Sequence, residues 1–379
     1  MKWNMIWKRS LVVFLTALLL SAGLAASVSA DDSFTNYPVP QELMDQVREE
    51  GSVLNIYDWA EWWPEEMFTN FAEEFGIELT RDHFASTDEM MTKFKLNPKT
   101  PYDLVLGTGP NNVMMMAPQG LIRKLNYDYL PNVKAYLMDE FKSADFDPGN
   151  AHHVPSALYM VTFTYNSKYV DPNDPMANSW GMLFDRPQYA GKITMIDSFY
   201  DSIGAALKYL GYSWTSDVES ELMEAKALLM KQKPSVLAYD SWPRRLLVEE
   251  EAWISQMWTG DGWLLSRDKA GMMGAMPKEG SLWGTNTEFI PAGAKHPAAA
   301  HLFLNYLFRP DVNALYCEWI GYPPVHKKVM DMMSPEMKAW PGFIMTKEYL
   351  EKCDQPSLRY LTGKGLEMRV KIWEELKQQ

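Results

Sequence analysis

The stretch Tyr57-Asp58-Trp59-Ala60-Glu61-Trp62-Trp63-Pro64 sets three tryptophans and two acids within eight positions. Trp and Tyr faces attract cations by about 0.5 to 2 kcal/mol each, depending on desolvation, and Asp58 and Glu61 are placed to neutralise one. The plainer alternative makes Trp62 and Trp63 core aromatics at a helix start and the acids N-terminal caps. Trp258-Thr259-Gly260-Asp261-Gly262-Trp263 repeats the pairing of ring and carboxylate on a Gly-containing turn. Asp197-Ser198-Phe199-Tyr200-Asp201 opens a helix, where Asp and Ser are also the expected caps. Gly107-Thr108-Gly109-Pro110 offers backbone N–H groups and a hydroxyl, and Tyr322 in Ile320-Gly321-Tyr322-Pro323-Pro324 adds a ring in a turn. Loops of one chemical character point to capture of a small cation.

Catalysis is the competing class. A glycoside hydrolase also has a Trp-lined cleft and paired acids, and Glu61 with Asp261 would be its acid and base. Spacing in sequence does not establish the roughly 5 to 9.5 Å carboxyl separation that this chemistry needs. No Ser-His-Asp, Cys-His or zinc signature is present. His152 and His153 are adjacent, without helical ligand spacing, and are read as loop residues. Met114-Met115-Met116 and Met272-Met273 suggest soft-metal binding only weakly, and the first run is read as core packing. No metal and no cofactor are expected. A purely structural secreted protein would leave the ring-and-carboxylate loops without a role.

The elements that must hold these loops alternate. Strand-like runs at 53–56, 77–80 and 103–106 are separated by helical patterns at 64–75 and 87–94, an order that implies parallel strands with crossover helices. Further strands are expected at 121–125 and 158–165. A second cycle begins at 193–196, followed by helices near 203–210 and 218–231. The site loops fall at strand ends, where open α/β sheets bind ligands. With 379 residues, 47% of them hydrophobic, two domains are expected.

Lys2, Lys8 and Arg9 precede the apolar run 11–20 and small residues ending Val28-Ser29-Ala30, the pattern of a secretory signal peptide cleaved after Ala30. The run is short of the roughly 20 residues a membrane span needs, and no cysteine follows the cleavage site to carry a lipid, so an exported chain without membrane insertion is expected. The net charge of −13 becomes more negative by three when the leader is removed. That balance argues against nucleic acid and anionic membranes as partners. Cys317 and Cys353 either bridge or remain free.

The order of motifs resembles the periplasmic polyamine-binding proteins of ABC import systems, the spermidine- and putrescine-binding family among bilobal solute-binding proteins. The resemblance rests on Asn55-Ile56-Tyr57-Asp58-Trp59 with Glu61, on Tyr102-Asp103-Leu104-Val105 and on Leu207-Lys208-Tyr209-Leu210-Gly211-Tyr212. It continues through Met257-Trp258-Thr259-Gly260-Asp261, Ile290-Pro291-Ala292-Gly293-Ala294-Lys295, the stretch 303–312 beginning Phe303-Leu304-Asn305-Tyr306, and Ile320-Gly321-Tyr322-Pro323. The family implies a two-lobed α/β type II binding-protein fold, with mixed, mostly parallel sheets, flanking helices and a ligand cleft between lobes. Lobe 1 would comprise 31–158 with 285–330, and lobe 2 159–284 with 331–379.

The resemblance assigns Trp59, Trp62 and Trp258 as cation-stacking faces and Glu61, Asp201 and Asp261 as ammonium acceptors. Thr108, Ser198, Asn286 and Tyr322 would supply neutral hydrogen bonds, while Asp58 and Asp197 are expected as caps beside the site. Three positions depart from the family: Ala60 stands where Ser or Thr is usual, Asn286 where an aspartate holds an ammonium group, and Ser198 where another acid falls. Losing the aspartate at 286 removes one counter-charge and points toward a shorter amine, a monocation or an amino-acid-like cation. The expectation is a monomeric periplasmic binder, not an enzyme. It would take a small cationic amine such as putrescine or spermidine and deliver it to an ABC transporter permease.

Overall fold

The computed structural model describes residues 36–60 and 62–378. The expected leader with its cleavage point, and the expected ammonium acceptor Glu61, lie outside the described residues. Strand β1 (Val53–Asp58) buries Leu54, Ile56, Tyr57 and Asp58, so its last turns are covered on both faces. β2 (Glu78–His83) and β3 (Leu104–Thr108) both pair with it in parallel. The crossover helix α1 (Glu65–Phe75) lays Met67, Phe68 and Phe71 on the core and stops at Gly76, whose φ of 65° closes the helix in the left-handed region. The second crossover, α2 (Thr87–Leu96), is capped by the Ser86 hydroxyl, which accepts from the Glu89 N–H. α3 (Pro110–Met116) leads away from β3.

The long strand β4 (Val154–Asn166) connects this half to the next. Beyond it come β5 (Ile193–Met195), α4 (Phe199–Tyr209), α5 (Glu219–Gln232), β6 (Val236–Tyr239), β7 (Ile254–Trp258) and α6 (Thr259–Asp268). β8 (Met272–Gly274) and β9 (Trp283–Phe289) follow. Among the described residues these nine strands run β2-β1-β3-β9-β4-β7-β5-β6, with β8 on β4. Parallel pairing is confined to the two flanks, β2-β1-β3 and β7-β5-β6. At the centre β9 is antiparallel to β3 and β4, and β4 is antiparallel to β7 and β8. Crossover helices in the sequence reveal the flanks; a strand that returns from the far half has no such marker.

β4 changes partner along its length. Through Met160 it pairs with β9, and from Val161 with β7. The apolar cores divide at the same place: Leu54, Phe68, Leu158 and Phe303 belong to one, Val161, Trp180, Ile193 and Ile254 to another. Trp258 packs against both. Met333, Met337 and Phe343 join the first core, whereas Ile372 and Leu376 of the last helix join the second.

One local expectation changes, and one open alternative is decided. The expected strand 121–125 is an extended segment with one antiparallel bridge, Ile122 to Pro291; Pro291 has no N–H with which to extend a ladder. Cys317 and Cys353 are both free thiols. No helix of the described residues is long and apolar enough to cross a membrane.

Candidate functional site

At the end of β1 the indole of Trp59 donates to the Gly107 carbonyl at 2.7 Å and meets Phe84 edge-on. Gly107 (φ 73°) brings its backbone against three indoles: a β-carbon there would lie 3.0 Å from Trp59, 3.5 Å from Trp62 and 3.6 Å from Trp63. Its N–H donates to the Glu288 carboxylate at 2.5 Å. Glu288 also accepts from the Ser156 hydroxyl at 2.6 Å, and burial, aided by the Asp58 charge, pushes its pKa up to about 8. Ser156 lies 3.3 Å from the Tyr316 hydroxyl, which accepts from the Asn286 amide at 3.1 Å, and Trp63 stacks on Tyr316 at 4.2 Å. One polar network thus sits behind the tryptophan wall. Thr108 is turned inward: its hydroxyl donates to the Thr287 carbonyl and meets the Thr287 hydroxyl, both at 2.8 Å.

Opposite these, α4 and α6 begin at the ends of β5 and β7. Ser198 caps α4 by accepting from the Asp201 N–H. Gln256, fully buried on β7, accepts from the Ile196 N–H and donates to the Asp201 carbonyl at 3.0 Å, tying the Asp201 turn to the strand that ends in Trp258. Burial raises the Asp201 carboxyl to about 6, with the Ser198 contact opposing it. Burial likewise raises Asp261 to about 7, against the lowering effects of Tyr322 and the more distant Arg244. Neither carboxylate forms an ion pair among the described residues. The Tyr322 hydroxyl donates to Asp261 at 3.4 Å, and its ring lies 5.6 Å from Trp62, while Gly260 leaves room for that ring where a β-carbon would come within 2.5 Å. Burial, and then the Asp201 charge, hold the Tyr159 phenol on β4 well above its usual range.

Trp62, Tyr322 and Asp261 are therefore brought together, and Asp201 is joined to the Trp258 strand through Gln256. Asn286 and Thr108 are bonded into the sheet behind the wall. Asp58 and Asp197 are not the expected caps. Fully buried Asp58 pairs with Arg81 at 2.9 Å and lies 2.6 Å from the His83 Nδ1 across the β1–β2 ladder, because an acid at the covered end of a strand needs a partner from its neighbour. Asp197 pairs with Lys377 of the last helix. A cavity of about 180 Å³ lined by Phe141, Phe146, His153, Trp283, Gly284 and Thr285 contains none of the residues expected in the site.

The family model of bacterial extracellular solute-binding proteins matches residues 66–346. The chain belongs to this family. Its members are binding proteins rather than enzymes. A spermidine/putrescine-binding periplasmic protein of Escherichia coli is 29% identical over 290 residues, covering 76% of this chain and 82% of that one. A putrescine/cadaverine-binding protein of Pseudomonas aeruginosa is 25% identical over 337 residues, 86% and 93% of the two chains. Among solved structures, the spermidine/putrescine ABC transporter substrate-binding protein PotD of Streptococcus pneumoniae superposes with a TM-score of 0.76 at 23% identity, over 86% of this chain and 99% of that one. The fold is the two-lobed type II arrangement of solute-binding proteins, with its cleft between lobes. Tyr159, Gln256 and Glu288 went unmarked in the sequence, since none of them falls in a ring-and-carboxylate loop.

Proposed function

We propose that this solute-binding protein captures a small cationic amine of the putrescine or spermidine class outside the cytoplasm and presents it to the permease of an ABC importer. The observation that carries the reading is the pair of buried acids, Asp201 and Asp261, each without a cationic partner among the described residues and each beside aromatic rings. An unpaired buried charge is costly, and truncating one partner of a buried pair costs about 3 to 5 kcal/mol; an ammonium at each acid removes that penalty. Trp59, Trp62 and Trp258 would give the ligand its apolar walls, and Tyr322 would orient Asp261. The names of the relatives, spermidine/putrescine-binding and putrescine/cadaverine-binding, support the same class.

The lobes proposed are 31–158 with 285–330 and 159–284 with the last helix, supported by the change of partner along β4 between Met160 and Val161; Met333, Met337 and Phe343 pack in the first core and go with the first lobe. In this reading the protein is exported by its leader to the periplasm and acts there as a monomer. A second reading, a shorter amine or a monocation, is favoured by Asn286, whose amide is spent on Tyr316 and offers no counter-charge.

Titration calorimetry of the purified protein with putrescine, cadaverine, spermidine, agmatine, choline and basic amino acids tests this, with mass spectrometry of any co-purifying solute. Tight binding of a diamine supports the first reading and selective binding of monocations the second. Binding of sugars alone, or chemical change of a bound solute, overturns both.

A further inference from the structure

The last described segment crosses from one half of the molecule to the other. α7 (Leu358–Leu361) carries Tyr360, which is fully buried. Its hydroxyl donates to the Asn111 side chain, in the first turn of α3, at 3.3 Å. With Leu361 and Met114 it forms a small apolar cluster of its own, against which Met115, Phe146 and Tyr200 pack. This gives the methionine run a use: Met114 and Met115 receive the C-terminal segment, while Met116 serves the core beneath. The following helix, α8 (Gly363–Gln378), is rooted in the second half. Arg369, fully buried, donates to the carbonyls of Trp214 at 2.8 Å and Ser216 at 3.0 Å, and its guanidinium lies 5.2 Å over the Tyr360 ring. Tyr200, one residue before Asp201, meets Tyr360 edge-on at 5.5 Å.

We propose that Tyr360 is a positioning residue for ligand capture: held by Arg369 in the second lobe, it closes onto Asn111 and Met114 of the first beside Asp201, and ligand release requires its withdrawal. The contact is formed by side chains of both lobes, so separating the lobes must break it. It rests on the binding-protein reading for its consequence, but the closure itself is testable without any amine.

The experiment is a double-mutant cycle of Tyr360→Phe, which keeps the ring, and Asn111→Ala. Two readouts are used: small-angle scattering of the ligand-free protein, and stopped-flow release of putrescine and spermidine. A single neutral hydrogen bond corresponds to roughly three- to tenfold in an equilibrium constant. Each single variant is expected to enlarge the radius of gyration and to speed release by that factor, with the double variant no worse than either and the ligand-free melting midpoint unchanged. Identical scattering of wild type and Tyr360→Phe overturns the proposal, as do additive effects, or a fall in ligand-free midpoint that accounts for the whole loss of affinity. Should the wild type bind neither amine, the amine reading fails by itself, and the scattering comparison still decides the closure.

Discussion

At the scale of single residues, Asp201 and Asp261 have opposite effects on the empty protein and on binding. Each has a folded pKa, about 6 and about 7, above the ordinary value of 3.8, with burial the cause. The folded state therefore holds protons that the unfolded chain has released. The resulting stability is fully present below about pH 4 and is lost as pH rises through 6 and 7. A bound ammonium reverses the balance, because it requires the ionised carboxylate. Wild-type affinity for putrescine should therefore fall as pH drops from 8 to 5.5, measured by calorimetry; a flat profile would remove both acids from the site. Asp261→Asn should raise the ligand-free stability at pH 8 by about 1 to 3 kcal/mol and weaken the amine tenfold or more, on the order of 1.5 to 3 kcal/mol. Unchanged affinity would exclude that carboxylate. These acids were legible because each stands beside a ring at a strand end. Glu288 was not, since its meaning depends on Gly107 and Ser156, brought to it only by the pairing of β9 with β3 and β4.

At the scale of elements, Gly107 near the end of β3 decides where the tryptophan wall stands. Gly107 and Gly76 both adopt positive φ, at 73° and 65°, but only Gly107 is hemmed in by side chains. Alanine in this conformation costs roughly 1 to 2 kcal/mol at either position. At Gly107 the new methyl must also displace Trp59, so Gly107→Ala should lose more stability than Gly76→Ala in urea denaturation. It should also reduce the thermal shift produced by putrescine, while Gly76→Ala leaves that shift intact. Equal ligand shifts in the two variants would detach the Gly107 turn from binding. The flanking strands and helices were readable because apolar periodicity alternates cleanly between β1 and α2. The start of β4 was hidden by Pro155, which reads as a strand breaker. It is tolerated here where the pairing with β9 is irregular between Pro155 and Leu158. The segment 121–125 has the composition of a strand but adjoins Pro291 rather than a donor.

At the scale of the whole molecule, two cores share one sheet, and that combination determines how the protein unfolds. Separate cores alone would favour two independent transitions. β4 and β9 oppose this: β4 contributes Leu158 to one core and Phe163 to the other within one uninterrupted strand, and Trp258 packs on both. Unfolding either half would strip β4 of one set of ladder partners and expose apolar surface, Trp258 included, that the two cores share. Calorimetry of the ligand-free protein should therefore show a single transition whose calorimetric and van't Hoff enthalpies agree. An amine at 100 times its dissociation constant should raise the stability of that one transition by about 2.7 kcal/mol, because a ligand held between Asp201 and Asp261 of one half and the Trp59 and Trp62 wall of the other loses its site when either half opens. Two resolved peaks, only one of which moves with ligand, would mean that β4 is a hinge between independently stable lobes. The coupling between capture and global stability would then have to come from lobe closure alone.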